Sequence, residues 1–128
     1  MFDIVKLKKG NKDAYPLEVP LSSNERVIGK WIDGRPLYRK VLTFGTLPNN
    51  STLNVYMNVD NLDVVVKYFG IANSTRYALT LPTAQNSIEK NVNVFIDYLY
   101  KFIGIQTFSD RTTYTSGYII IDYVKKAT

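Results

Sequence analysis

The chain has no cysteine and no histidine. Disulfides are therefore impossible, and so are Cys/His zinc centres. Cysteine nucleophiles and the imidazole general base are missing as well. Any catalysis falls to carboxylates, Lys, Tyr, Ser or Thr. No apolar run approaches the length that spans a bilayer, so no membrane insertion is expected. The opening "MFDIVKLKKG" lacks a signal peptide's order of basic segment, apolar segment and small-residue cleavage site. Synthesis in the cytoplasm is the expectation. Sustained runs of good helix formers are scarce. The eleven acidic residues are scattered, with none spaced as a calcium loop, so neither metal nor cofactor is expected.

What remains is a 128-residue chain, enough for one domain with a core of its own. Hydrophobic residues make up 45% and aromatics 13%, which argues against disorder. The net charge of +5 permits anionic partners. The cations are dispersed, however. Lys6, Lys8, Lys9 and Lys12 open the chain, Arg26, Lys30, Arg35, Arg39 and Lys40 follow, and Lys125 and Lys126 close it. Tyr and Phe interleaved with Lys can stack single-stranded bases, but no nucleic-acid motif appears, and nucleic acid is not the expected partner.

The dominant hydrophobic period is two, the signature of strands. In "LNVYMNV", Leu53, Val55, Met57 and Val59 point one way, and Asn54, Tyr56 and Asn58 the other. "TRYALTL" places Tyr77, Leu79 and Leu81 against Arg76, Ala78 and Thr80. "DVVVKYF", "VNVFIDYL", "KFIGIQTF" and "YIIIDYV" are further strand candidates, and "NSIEKNVNVFI" can open a short helix. Turn material separates the runs. Roughly seven to nine short strands predict an all-β fold, an antiparallel β-sandwich of jelly-roll-like kind. Residues 1–24 have little apolar alternation and contain Gly10, Pro16 and Pro20. They are expected to form an extended N-terminal arm or added strand that attaches to a neighbour. Residues 25–128 would form the single β-domain.

Asp33-Gly34 between apolar runs is the strongest local hairpin signal. A two-residue loop would pair Ile32 with Arg35, Trp31 with Pro36, Lys30 with Leu37, Gly29 with Tyr38, Ile28 with Arg39 and Val27 with Lys40. Val27, Gly29, Trp31, Pro36, Tyr38 and Leu42 would then face the core, with the Tyr38 ring covering Gly29. On the other face each cation would lie opposite an aliphatic residue, with its stem along the apolar surface.

The segment "NERVIGKWIDGRPLYRKVLTFGTLPNN" resembles one recurrent in structural proteins of tailed bacteriophages, typical of terminal domains of tail fibres and related virion appendages. The matching positions are Val27, Ile28, Gly29, Trp31 to Gly34, Pro36 to Lys40 and Leu47 to Asn50. The closing "SDRTTYTSGYIIIDYVKKAT" is similar to the family's polar Asp-Arg loop followed by a Tyr-apolar strand. The resemblance covers residues 24–128 in outline and is strong at its two ends, while residues 60–92 depart from it. It implies a virion location and a homotrimer. Other virion proteins would be reached through residues 1–24, with a displayed knob contacting host-surface glycan or protein. A capsid or tail component with no receptor role is the variant of the same class.

On that reading the loop Ser109 to Ser116 is the expected contact. Asp110 and Arg111 would pair with each other or with sugar hydroxyls, and Tyr114 would stack; the alternative is that Asp110 and Arg111 only brace the loop. A glycan-depolymerising enzyme is the competing class. It needs two carboxylates across a cleft, and Asp60, Asp63, Asp97 and Asp122 are available without a motif. No enzyme is expected.

Overall fold

The structure is a computed structural model that describes residues 21–127. Residues 1–20, most of the expected arm, lie outside the described residues. Among the described residues eight strands run in the order β1 (Arg26–Lys30), β2 (Pro36–Phe44), β3 (Thr52–Tyr56), β4 (Leu62–Asn73), β5 (Ala78–Leu81), β6 (Val92–Asp97), β7 (Phe102–Thr107) and β8 (Ser116–Lys125). A 3-10 turn, Ile88–Lys90, stands where a short helix was expected.

The strands form two antiparallel sheets, one ordered β1-β2-β8-β4-β5 and the other β3-β7-β6. Early strands pair with late ones, β2 with β8 and β3 with β7. The chain passes from sheet to sheet between β2 and β3, β3 and β4, β5 and β6, and β7 and β8. This is the wrapped connectivity of a jelly-roll-like sandwich, and the all-β expectation holds.

Alternation builds the core between the sheets. Val55, Met57, Leu79, Leu81, Ile103, Ile105, Ile119, Ile121 and Tyr123 are buried and belong to one cluster. Each fully buried Ile contributes about 2 kcal/mol by leaving water. Tyr77 is outside this pattern: β5 starts at Ala78, and Tyr77 sits exposed in the turn before it. Asn50, Asn58 and Asn61 adopt positive φ (48°, 54° and 57°) at the ends of β3 and the start of β4. Asparagine tolerates that region better than most residues, which accounts for these positions. Thr107, buried between loops, donates its hydroxyl to the Pro48 carbonyl at 2.9 Å.

The hairpin forms, but not in the expected register. The Trp31 N–H donates to the Arg35 carbonyl at 2.8 Å and the Gly34 N–H to the Trp31 carbonyl at 2.9 Å. The loop therefore has three residues, and only Gly34, at φ +92°, takes the left-handed region. This is a type I turn closed by a glycine bulge rather than a two-residue turn. Lys30 consequently pairs with Pro36 and Gly29 with Leu37. An irregularity between Val27 and Gly29 then sets Val27 opposite Tyr38 and Arg26 opposite Arg39.

Several core-face expectations fall with the register. Trp31 is only half-buried and stands outside the core cluster. Val27 and Pro36 are exposed, and Gly29 faces open space instead of the Tyr38 ring. Two arginines do stand opposite each other, and acids pair with two of the hairpin's cations. Arg39 reaches Asp122 on β8, and Arg35 reaches Asp33 and Asp63. The ring-over-glycine device exists at other positions. A Cβ on Gly104 would overlap the ring of Phe95, and one on Gly117 the ring of Phe44. These are the registered cross-strand neighbours.

Candidate functional site

The loop from Ser109 to Ser116 is held from several sides. Asn50 N–H donates to the Ser109 carbonyl at 2.9 Å, Leu47 N–H to the Tyr114 carbonyl at 2.9 Å, and Thr115 N–H to the Asn73 carbonyl at 3.0 Å. The Asp110 carboxylate accepts from the Thr112 hydroxyl at 2.6 Å and its N–H at 3.0 Å. Those bonds, the hydroxyl's first, hold the Asp110 carboxyl below its usual range. Arg111 donates from Nη2 to the Lys90 carbonyl at 2.9 Å, and its guanidinium lies 5.6 Å from the centre of the Tyr114 ring. Tyr114 is 7% exposed and belongs to the core. Its ring is therefore closed to a sugar from outside. Asp110 and Arg111 bond to other groups and not to each other. The structure brings the three residues into one loop as internal bracing.

The four carboxylates considered for hydrolysis are separated by role. Asp122 is buried and accepts two bonds from Arg39, at 2.7 and 3.0 Å. That pairing raises the Arg39 guanidinium above its ordinary value against the opposing effect of partial burial. Asp63 accepts from Arg35 at 2.6 Å. Asp97 caps the turn after β6 by accepting the Tyr100 N–H at 2.9 Å. Asp60 is exposed in the turn between β3 and β4. Among the described residues no three acidic side chains gather in a group that could hold a metal ion.

A second polar cluster fastens the entry into β1. Glu25 accepts from the Tyr123 hydroxyl and from Lys125 Nζ, both at 2.5 Å. Partial burial pushes the Glu25 carboxyl up, but the bonds from Lys125 and Tyr123 and the charges of Lys125 and Lys40 outweigh it. The net position is below the ordinary value. Burial, and then the bond to Glu25, raise the Tyr123 phenol. Tyr38 stacks on Tyr123 at 5.7 Å, with Lys125 Nζ 4.8 Å from its ring centre.

Lys40 lies opposite Ile121 on β8, on the inward row of β2, and crosses to the other sheet. Its Nζ donates to the Met57 and Asn58 carbonyls at 2.9 Å each. The ammonium thus satisfies two carbonyls at the rim of the interior, where an aliphatic side chain would leave them unpaired.

The most distinctive open surface is the outward face of β3-β7-β6. Register places Tyr56, Phe102 and Asp97 in one row, Asn54, Gly104 and Phe95 in the next, and Thr52, Gln106 and Asn93 in the third. The rings cluster edge to face, Tyr56 on Phe102 at 5.6 Å and Phe95 on Phe102 at 6.2 Å. Tyr56 is 54% and Phe95 39% exposed. Gly104 lets the Phe95 ring lie across the middle strand. A shallow groove of about 360 Å³ adjoins Tyr56 at one end, between Asn58 and Tyr100. Another, of about 290 Å³, adjoins Asn93 and Phe108 at the other end. The three rows carry aromatic rings, carboxamides, Thr52 and the Asp97 carboxylate and no cation; Lys101 and Asp60 border the groove beyond Tyr56.

No protein-family model, curated protein or solved structure matches the chain. Among the described residues no helix is long and apolar enough to cross a membrane.

The outward face of the five-stranded sheet is the counterpart. Val41, Ile120 and Phe69 form one row, and Thr43, Tyr118 and Ile71 the next. Phe69 is 46% exposed. The Arg39–Asp122 pair lies beside this apolar area, with Lys67 opposite Asp122 on β4. The central strand β8 thus turns apolar side chains to both sides.

Proposed function

We propose that this chain is a structural subunit of a tailed-bacteriophage virion, a fibre knob or decoration, that works by surface contact and not by catalysis. One observation carries the contact reading: β8 and its neighbours present apolar residues on the outward as well as the inward face of the sheet. A sheet facing water on one side ordinarily alternates apolar-in with polar-out. The row through Val41, Ile120 and Phe69 departs from that and is suited to cover by other subunits, with a homotrimer as the proposed assembly. The sequence resemblance supplies the virion setting, with residues 1–24 as the attachment segment. The separated positions of Asp60, Asp63, Asp97 and Asp122 favour binding over glycan cleavage.

Sedimentation equilibrium of the full chain, with immunogold labelling of purified particles, tests this. A threefold mass that collapses to one-fold in Phe69→Lys, together with label on particles, is the expected outcome. A wild-type chain that stays monomeric at high concentration and is missing from particles overturns it.

A further inference from the structure

The outward face of β3-β7-β6 has a chemistry of its own. Its rings, Tyr56, Phe95 and Phe102, form one contiguous group, and Asn54, Asn93 and Gln106 lie directly beside them in register. Asn93 Nδ2 approaches Gln106 Oε1 at 3.4 Å, so the carboxamides retain donors and acceptors for a ligand. The three rows hold no cation although the protein as a whole carries +5, and Lys101 and Asp60 border only the groove beyond Tyr56. The rows' one carboxylate, Asp97, is engaged with the Tyr100 N–H. An anionic polymer would find no counter-charge on these rows. A hydrophobic protein partner would have to strand the amides unpaired. A neutral polyhydroxyl chain matches both features: the apolar C–H faces of its rings lie on the aromatics, and its hydroxyls exchange bonds with the amides. The six steps from Phe102 to Phe108 along the β7 direction span roughly 20 Å. With grooves at both ends, the track suits several sugar units in a row rather than a single sugar.

We infer that the Tyr56–Phe102–Phe95 face, with Asn54, Asn93 and Gln106, is a binding track for a neutral polysaccharide. This rests on the reading of the chain as a displayed contact domain, and it moves the contact from the Ser109–Ser116 loop to a flat sheet face. Recognition is by stacking and amide hydrogen bonds, so it is insensitive to ionic strength. Tyr56, the most exposed of the three rings, reports on binding without disturbing the packing. Phe95 does both, because it also covers Gly104.

The test is titration calorimetry of the full chain with soluble glucan, mannan and galactan. Alginate serves as the anionic polysaccharide and oligo(dT) as the nucleic acid. At least one neutral polymer should bind equally at low and high salt. Tyr56→Ala and Asn54→Ala should each weaken it on the order of tenfold with an unchanged melting temperature, and Asp110→Ala should leave it intact. Failure of all three neutral polymers overturns the inference. So do binding that survives both substitutions, salt-sensitive binding to oligo(dT) or alginate alone, and loss of self-association in Tyr56→Ala, which would make the face a subunit contact. Particle labelling is read separately. A labelled particle with no glycan binding removes this inference and keeps the virion reading; glycan binding with no label does the reverse.

Discussion

Replacing Asp122 with alanine isolates the cost of leaving cations unpaired on the five-stranded sheet. The Asp122 side chain is 7% exposed and that of Arg39 27%, and two hydrogen bonds at 2.7 and 3.0 Å join them. Removing one partner of a fully buried pair costs about 3–5 kcal/mol. Arg39 keeps a quarter of its side chain in water, so rehydration recovers part of that, and about 2–3 kcal/mol is expected. Lys67 stands opposite Asp122 on β4, and the substitution leaves two cations flanking an uncharged position. The loss should therefore shrink as salt is added. Urea denaturation of wild type, Asp122→Ala, Arg39→Met and Arg39→Met/Asp122→Leu measures it. The melting temperature of Asp122→Ala should drop on the order of 10 °C. The double variant should recover most of the stability, because an apolar pair of similar volume avoids the desolvation of both charges. A single-variant loss under about 0.5 kcal/mol, or a double variant no better than the single, would refute the reasoning.

Gly104→Ala should destabilise by about 1–3 kcal/mol, because a Cβ there displaces the Phe95 ring. Gly29→Ala, which meets open space, should be neutral or stabilise by up to about 1 kcal/mol, and paired chemical-denaturation curves compare the two. Gly34→Ala should cost about 1 kcal/mol or more, because φ +92° strains any residue with a side chain. The folded-state pKa of Glu25 lies below its ordinary value, so its contribution is complete above that value and lost as pH falls through the folded one. Glu25→Gln should accordingly lower stability at neutral pH and flatten the acid limb of a stability–pH curve below about pH 5.

Period-two patterning was enough to find the strands, because a strand with one face in a core writes its burial directly into alternate positions. "LNVYMNV" did so without exception: Leu53 is half-buried, Val55, Met57 and Val59 are buried, and Asn54, Tyr56 and Asn58 are exposed. The hairpin at Asp33-Gly34 was equally legible, but its register was not. Asp-Gly suits both a two-residue loop and a three-residue loop with the glycine alone at positive φ, and one residue of difference moves Trp31 out of the core. Glycine rescue was visible as a device and misplaced for the same reason. Tyr114 was misread because a loop tyrosine looks available; only the crossing of Leu47 and Asn73 shows that its loop folds inward. The aromatic face did have a signal. Tyr56, Phe95 and Phe102 all fall at the polar parity of their strands, beside Asn54, Asn93 and Gln106. Each strand alone hides this, because the cluster exists only once β7 is placed between β3 and β6.

The last of the described strands occupies the middle of the larger sheet, and Arg39 must find Asp122 across 83 positions. Nascent chains will hold β2 and β4 as unmatched ribbons until residues 116–125 arrive to join them, so the larger sheet cannot close before β8 has been made, and such long-range pairing is slow. A frameshift or nonsense codon just ahead of Ser116 would then abolish the protein outright rather than trim it.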